Sequence, residues 1–261
     1  MMLAIYYLYQ GIYSLKKCVD INNNLDIQKM NKFTFLLMLV LVTSLSACFS
    51  SNDNTKQEVL LQGHTMGTTY HIKVIVDGEF NAPQLQDEID TALKQLNQEM
   101  STYIADSELS LINNANSLEP VTLSFGLARV LKEAIRLGKL SEGKLDVTVG
   151  PLVNLWGFGP EYQPETIPSD EVLAQTRQRI GLDKLTLSNN QLSKSTSDLY
   201  IDLSTIAKGY GVDLVAELIE GKGIHNYLVE IGGEMRLKGF KHTGELWHVA
   251  IEKPVSAERA V

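Results

Sequence analysis

The run Asp198–Asp213 constrains the fold more than any other stretch, because a strand pattern passes into a helix pattern with no loop between them. Tyr200–Leu203 is short, apolar and β-branched enough for a strand. Ser204 is a residue type that commonly caps a helix. Apolar residues then recur at helical spacing, namely Ile206, Tyr210, Leu214 and Leu218. The sequence therefore predicts a strand that leads directly into a helix.

The start of this helix is a candidate binding site for an anion. The backbone N–H groups of Thr205, Ile206 and Ala207 would have no partner within the helix, and they carry the positive end of its dipole. Lys208 can lean back toward that end, and Asp202 adds a carboxylate beside it. The simplest functional interpretation is a phosphate held by the helix start and Lys208. Asp202 would then be available for a divalent metal, a hydroxyl group or a base edge.

Two glycines inside the same helix support either a functional or a structural interpretation. Gly209 and Gly211 each cost about 1 kcal/mol relative to alanine, so their lack of a side chain must serve a purpose. In the structural alternative they allow close packing of the helix on a sheet, Lys208 is solvated, and Asp202 pairs with it. The run matches neither the phosphate-binding P-loop nor the dinucleotide fingerprint. Generic motifs therefore predict no nucleotide fold.

The charge balance argues against a nucleic-acid partner. The chain has 31 acidic and 23 basic residues, a formal net charge of −8, and its basic residues do not cluster. Phosphate backbones require a basic face, so DNA and RNA are excluded as expected partners. With 261 residues, of which 44% are hydrophobic, the composition is that of a globular protein with one substantial core.

The N-terminal part has the pattern of a bacterial lipoprotein signal. Lys29 and Lys32 precede the apolar run Phe33–Val42, and Leu-Ser-Ala then leads to Cys48. The apolar run is too short for a comfortable membrane span, but it suits a secretory signal. The pattern resembles a lipobox, in which Cys48 becomes the lipidated first residue. We expect a protein anchored to a bacterial membrane through Cys48 and facing the periplasm.

The expected domain limits follow from this signal. Residues 1–29 fit poorly, because Met30 would be an ordinary start for a signal peptide, so we expect this extension to be absent or removed. Residues 30–47 form the signal peptide, residues 48–57 a polar tether, and residues 58–261 one globular domain. A mature chain that begins at Cys48 has no second cysteine, so its stability comes from the core rather than from a disulfide.

Hydrophobic periodicity predicts a series of helices and strands after the tether. Helices are expected over residues 83–100, 107–113, 124–140 and 169–180, in addition to the helix after Ser204. Strands are expected near residues 59–61, 70–76, 184–187, 191–195, 199–203, 227–231, 235–238 and 246–252.

The connections between these elements carry several candidate features. Gly63–Thr69 is expected to be a loop, Gly150–Pro151 a bend, and Asn189–Asn190 a hairpin turn. Gly232–Gly233 is either a simple tight turn or a place where the backbone approaches a phosphate. Two aromatic residues in one loop, Trp156 and Phe158, either anchor that loop in the core or form a wall for a flat ring system.

Five segments together resemble the ApbE family of FAD:protein FMN transferases, which are flavin transferase lipoproteins. They occur in the family's order from about residue 58 onward. They are His64–Tyr70 (His-Thr-Met-Gly-Thr-Thr-Tyr), Met100–Tyr103 with Ser107–Asn113, Asp146–Gly159, Ile201–Tyr210 and Glu230–Glu234. Each segment alone is weak, and the set is highly specific.

The resemblance implies an enzyme that moves FMN from FAD, through a phosphoester, onto a threonine of a target protein. AMP is released, Mg²⁺ is required, and the targets are subunits of respiratory redox complexes. The implied fold is α+β, a T-fold-related mixed sheet flanked by helices, with FAD in a cleft. Carried over by motif, Thr205 would give the metal an oxygen, from its backbone. The residues that would contact FAD are Met66, Tyr103, Lys144, Leu145, Asp146, Asp202 and Lys208.

One departure from the family concerns the C-terminal part. The family continues beyond Leu246–Glu252 with a His-Ile-Ile-Asp-Pro-type motif and a later Ala-Asp-Ala-Leu-type motif, where the remaining metal ligands and the proton-transfer residue belong. The chain ends at Val261 without them, so we expect a C-terminally truncated domain with an incomplete magnesium site and no assigned catalytic residue. Two alternatives stay open: hydrolysis of the FAD pyrophosphate, and a non-enzymatic lipoprotein that binds FAD.

Overall fold

The computed structural model of the chain describes residues 56–160 and 167–251. The predictions for the extension 1–29, the signal peptide 30–47 and Cys48 lie outside these residues. The first strand begins at Lys56, two residues before the domain start expected at residue 58. Within the described ranges, no helix combines the length and the apolar character that a membrane crossing needs.

The main sheet contains four antiparallel strands in the order β1-β2-β6-β7. Their bounds are Lys56–Thr65 for β1, Thr68–Asp77 for β2, Tyr227–Ile231 for β6 and Glu234–Lys238 for β7. The expected loop Gly63–Thr69 is wrong. Both strands continue into it, and only Met66 and Gly67 remain as a turn with φ of 48° and 71°. Two positive φ values in succession give the two-residue turn that matches the twist of a hairpin.

Three helices follow the main hairpin, and each begins as the sequence predicts. Helix α1 spans Ala82–Met100 and buries its one apolar face, formed by Leu85, Ile89, Leu93, Leu96 and Met100. The hydroxyl of Ser107 accepts a hydrogen bond at the start of α2, Glu108–Asn114. The hydroxyl of Ser124 does the same for α3, Phe125–Leu140. These serine caps satisfy N–H groups that have no partner in the first turn.

A smaller antiparallel sheet has the order β3-β5-β4. Its strands are β3 (Val121–Thr122), β4 (Leu185–Ser188) and β5 (Gln191–Lys194). The hairpin turn Asn189–Asn190 is confirmed, with φ of 48° and 62°. The predicted α+β class is confirmed, and the described strands form two separate antiparallel sheets where the resemblance implied one mixed sheet.

Two further helices connect these parts. The expected bend at Gly150–Pro151 is wrong, because these residues begin α4, Gly150–Leu155. Proline is tolerated in a first turn, where its missing N–H would have no partner anyway. Helix α5 spans Asp170–Arg177 and is capped by Ser169.

Helix α6, Ser204–Gly221, lies between two apolar cores. Ala207 packs into a core with residues of α1, α2 and α3. Val215 and Ile219 pack into a second core with the main sheet and the start of α1. Because α6 is apolar on more than one side, the expected stripe through Tyr210 and Leu214 is only half-buried. The deepest positions are Gly211, Val212, Val215, Ala216 and Ile219.

The expected strand Leu199–Leu203 is wrong, although its alternate residues Leu199, Ile201 and Leu203 are fully buried. The side chain of Asn113 supplies the two hydrogen bonds that a neighbouring strand would give to the backbone of Ile201. The N–H of Ile201 donates to Oδ1 of Asn113, and Nδ2 of Asn113 donates to the carbonyl of Ile201, both at 2.9 Å. Buried backbone groups need such partners, and an amide side chain supplies a donor and an acceptor together.

The expected strand Leu246–Glu252 is also wrong as far as it is described. Leu246 forms a single bridge with Phe240, and residues 247–251 have no regular structure. A segment becomes a strand only where it pairs with a neighbouring strand along its length. Among the described residues, this segment pairs only at Leu246, with Phe240.

We predict that Asn113→Ala lowers the free energy of unfolding by about 2–4 kcal/mol, because it leaves two buried backbone groups of Ile201 without a partner. The exposed neighbour Asn114 is the matched control, and Asn114→Ala should change stability by less than about 0.5 kcal/mol. Denaturant unfolding measures both. Equal losses in the two variants would contradict the strand-like role of Asn113.

Candidate functional site

Two hairpin turns lie at the same end of the main sheet. Strands β2 and β6 are neighbours with Tyr70 opposite Ile231, and the N–H of Gly232 donates to the carbonyl of Thr69 at 3.1 Å. The turn between β1 and β2 therefore stands beside the Gly232–Gly233 turn between β6 and β7. Gly232 and Gly233 have φ of 57° and 100°, so the tight turn expected there is confirmed.

Lys208 of α6 reaches this pair of turns. A Cβ atom at Gly232 would lie 2.8 Å from Cγ2 of Thr68 and 3.3 Å from Cδ of Lys208. The stem of the lysine therefore passes directly beside the backbone of Gly232, with Thr68 on the same side. The structure brings Lys208 together with the two turns, and only glycine fits between them.

Met66 occupies the β1–β2 turn in a conformation that is uncommon for a residue with a side chain. Its φ is 48°, and such positions persist where surrounding packing holds them. Its side chain packs against both cores and lies over α6, where a Cβ atom at Gly211 would be 2.8 Å from Cε of Met66. Gly211 therefore makes room for Met66. An open depression of about 440 Å³ is lined by this turn and its flanks, His64–Thr69.

The start of α6 differs from the sequence prediction. Ser204 does not cap the helix; it is the first helical residue, and Leu203 precedes it without a side-chain cap. Oδ1 of Asp202 accepts hydrogen bonds from the N–H of Ser204 at 2.8 Å and from its hydroxyl at 2.5 Å. The expectation of free N–H groups at Ile206 and Ala207 is wrong too, because both donate to the carbonyl of Leu203.

These contacts change the electrostatic interpretation of the site. Asp202 is buried at the positive end of α6, where its negative charge is stabilised by the helix dipole. An anion that approached this end would meet a carboxylate and few unpaired donors. Among the residues predicted at the helix start, Lys208 is the one whose charge attracts a phosphate.

Two of the predicted segments cross at Asp202. The N–H of Asp202 donates to the carbonyl of Val147 at 2.7 Å. A Cβ atom at Gly150 would lie 2.4 Å from the ring of Tyr200 and 3.2 Å from Cβ of Asp202, so only glycine permits the crossing. The segment that carries Asp146 is thereby fixed against the segment that carries Asp202.

The other predicted contacts lie in the loops around this crossing. Lys144 is exposed, whereas Leu145 is half-buried and its N–H donates to the hydroxyl of Ser141 at 3.0 Å. Oδ1 of Asp146 accepts hydrogen bonds from the N–H and the hydroxyl of Thr148. Contact of these residues with FAD stays a prediction.

The aromatic residues of the Trp156 loop are not core anchors. Phe158 is 78% exposed and Trp156 is 46% exposed, which excludes that interpretation. Tyr103 is 66% exposed, and its hydroxyl donates to the carbonyl of Phe158 at 3.3 Å. The structure therefore places Tyr103 against the backbone of the Trp156 loop, and all three aromatic side chains are exposed to a planar ligand.

Ion pairs hold the outward side of α6. Arg129 of α3 makes two hydrogen bonds to Glu217, at 2.7 and 3.1 Å, and lies 5.4 Å from the ring centre of Tyr210. The hydrogen bond from Arg129 lowers the pKa of Glu217, and burial raises the pKa of Tyr210. Arg236 of β7 pairs with Asp213 at 2.9 Å.

The described residues do not assemble a magnesium site by themselves. Residues 56–160 and 167–251 contain no group of three or more His, Cys, Asp or Glu side chains able to hold a metal ion. Thr205 is exposed in the first turn of α6, and Oδ1 of Asp202 is committed to Ser204.

Sequence reasoning missed three residues that position the site: Asn113, Thr148 and Gly150. Asn113 and Thr148 are polar but buried among apolar neighbours. Asn113 shares the buried face of its helix with Leu109 and Ile112, and a polar residue at helical spacing from apolar ones is the available signal. The contact partners of all three are distant in sequence, so their roles needed the structure.

Comparison with known proteins gives a consistent result. A model of the ApbE family matches residues 66–261. The FAD:protein FMN transferase of Vibrio cholerae is 51% identical over 228 residues, which are 87% of this chain and 67% of the relative. The FAD:protein FMN transferase of Haemophilus influenzae is 49% identical, over 87% of this chain and 66% of the relative. The FAD:protein FMN transferase of Escherichia coli K12 is 41% identical, over 77% of this chain and 59% of the relative.

Solved structures agree with these relatives. The flavin transferase ApbE from Vibrio cholerae has a TM-score of 0.74 and 55% identity, covering 76% of this chain and 65% of that chain. The flavinyl transferase ApbE from Pseudomonas stutzeri, in its apo form, has a TM-score of 0.72 and 34% identity, over 76% and 66%. The chain thus spans about two thirds or less of the length of these proteins.

We predict that alanine stabilises the protein at only one of the two glycines of α6. Gly209→Ala should raise the free energy of unfolding by up to about 1 kcal/mol, because alanine favours the helix and a Cβ atom there has no neighbouring atom within 4 Å. Gly211→Ala should lose this gain, because Met66 must move. Thermal unfolding of the two variants provides the comparison, and equal stabilisation would show that Met66 does not depend on Gly211.

Proposed function

This chain belongs to the ApbE family, and from that premise we propose that it transfers FMN from FAD to a threonine of a target protein. The relatives named FAD:protein FMN transferase match the chain across the segments that carry its candidate site. The observation that carries the proposal is the position of Lys208 beside Gly232, between two turns at one end of the main sheet.

Lys208 and the Gly232–Gly233 turn are suited to a diphosphate. A lysine ammonium is a compact cation on a flexible stem, and it offers three donors to phosphate oxygens. Glycines allow an oxygen to approach the backbone closely because they have no side chain. Since Asp202 occupies the helix start, Lys208 is the main source of attraction for the diphosphate.

Several exposed apolar surfaces suit the rings of FAD. Met66 borders the open depression of about 440 Å³ at the β1–β2 turn. Tyr103, Trp156 and Phe158 expose aromatic faces on which a flat ring can stack. Together with the lysine, these groups would hold FAD by its rings and its diphosphate, so that catalysis is mostly positioning and charge stabilisation.

The proposed reaction replaces the phosphoanhydride bond of FAD by a phosphoester bond to threonine. The threonine hydroxyl of the target attacks the phosphorus of the FMN half, the anhydride bond to the AMP phosphate breaks, AMP leaves with the bridging oxygen, and the hydroxyl proton passes to solvent water. Lys208 neutralises part of the charge that builds on the diphosphate. By family resemblance, Thr205 would be one ligand of a Mg²⁺ ion, and that ion would neutralise further charge on the diphosphate.

The direct test is incubation of the chain with FAD, Mg²⁺ and a peptide that contains the acceptor threonine. Covalent flavin fluorescence on the peptide, with one AMP per label, supports transfer. Release of AMP and free FMN without labelled peptide would instead show pyrophosphate hydrolysis. Retention of intact FAD would show a non-enzymatic flavin-binding protein.

We predict that Lys208→Ala weakens FAD binding at least tenfold, which corresponds to about 1.4 kcal/mol of lost attraction. The matched control is Lys132→Ala, which removes an exposed lysine of α3 and should change the affinity less than about twofold. Asp202→Asn keeps an oxygen for Ser204 and removes only the charge, so it tests the predicted contact with FAD separately. Flavin fluorescence titration measures all three variants. Equal effects of Lys208→Ala and Lys132→Ala would remove the case for this site.

We further propose that the protein is anchored to a bacterial membrane by lipid on Cys48 and faces the periplasm, where respiratory subunits would be its targets. Cys48→Ser removes the attachment point of the acyl chains that give firm anchoring. It should therefore move the protein from the membrane fraction to the soluble fraction. Cys18→Ser is the control and should not change the distribution. Intact mass should show a lipidated chain that begins at residue 48; membrane retention of Cys48→Ser would contradict the anchor.

A further inference from the structure

Thr148 is a fully buried polar residue whose hydroxyl has two partners. The hydroxyl donates to Oδ1 of Asp146 at 2.6 Å and accepts a hydrogen bond from the N–H of Gly181 at 2.7 Å. The backbone N–H of Thr148 donates to the same oxygen of Asp146 at 2.8 Å. Thr148 therefore holds the carboxylate of Asp146 and the loop that contains Gly181.

These bonds fix the direction of the Asp146 side chain. One carboxylate oxygen receives two hydrogen bonds from Thr148, so the plane of the carboxylate cannot turn freely and its second oxygen keeps a set direction. The residue between them, Val147, accepts the N–H of Asp202. This bond fixes the position of Asp146 relative to the segment that leads into α6. Because α6 also carries Lys208, Asp146 and Lys208 are held in one arrangement.

We propose that Thr148 is a positioning residue for FAD binding that acts through Asp146. This inference rests on the proposed function and on the contact between Asp146 and FAD that the family resemblance implies. Loss of the hydroxyl would leave Oδ1 of Asp146 with the backbone donor alone, and the side chain could then adopt other rotamers. FAD binding would weaken, because only one of the Asp146 rotamers could contact FAD and it would be populated for only part of the time.

A purely structural role would give a different result. The bond from Gly181 ties the loop after α5 to the core, and Gly181 has a φ of 146° that disfavours other residues. If Thr148 served only this loop, its removal would loosen the protein whether or not Asp146 were present. A double-mutant cycle separates the two roles, because residues that act through one another are not additive.

The experiment compares FAD affinity by flavin fluorescence titration for the wild type, Thr148→Val, Thr148→Ser, Asp146→Ala and the double variant Thr148→Val with Asp146→Ala. Thr148→Val keeps the branched shape without the hydroxyl and should raise Kd about tenfold, the range expected for a hydrogen bond to a charged group. Thr148→Ser restores the hydroxyl and should stay within about threefold of the wild type. In the Asp146→Ala background, Thr148→Val should add less than about twofold.

The outcomes separate this inference from the proposed function. If both substitutions weaken binding and their factors multiply, Thr148 does not act through Asp146 and the inference alone fails. If Asp146→Ala binds FAD as the wild type does, Asp146 is not a contact and the inference falls with that part of the site. Should Thr148→Val not fold, Thr148→Cys, which keeps a weak donor, takes its place with a smaller effect in the same direction.

Discussion

The burial of α6 between two apolar cores is the constraint on which the candidate site depends. Ala207 belongs to one core and Val215 and Ile219 belong to the other, so α6 cannot shift without disturbing both. The same helix places Gly211 under Met66 and Lys208 beside Gly232. Its surface ion pairs, such as Arg129 with Glu217, are exposed and each contributes at most about 1 kcal/mol. Packing therefore sets the geometry of the site, and the ion pairs add little to its stability.

The placement of one carboxylate decides how the site can recognise an anion. Asp202 satisfies the N–H of Ser204 and is buried at the positive end of α6. A helix start that is already paired with a carboxylate is a poor phosphate cradle by itself. In the proposed function, Lys208 and the glycine turn beside it are the groups left to attract a diphosphate. The contact of Lys208 with FAD stays a prediction, whereas the expected free N–H groups at Ile206 and Ala207 are wrong.

Elements governed by local pattern could be predicted from the sequence. The buried face of α1 and the serine caps of α2 and α3 follow from periodicity and capping chemistry alone. The segment at Ile201 could not be predicted, because its hydrogen bonds go to Asn113, which is 88 residues away. The crossing at Gly150 depends likewise on a distant neighbour. The family resemblance predicts which residues belong to the site. Their arrangement depends on contacts between distant segments, which only the structure gives.

The most direct measurement is a crystal structure of this chain with FAD bound. If Lys208 and the Gly232–Gly233 turn recognise the diphosphate, Nζ of Lys208 will lie about 3 Å from one of its phosphate oxygens, with the diphosphate against the glycine turn. A diphosphate bound elsewhere, with Lys208 left in solvent, would contradict the account of how this fold holds its flavin.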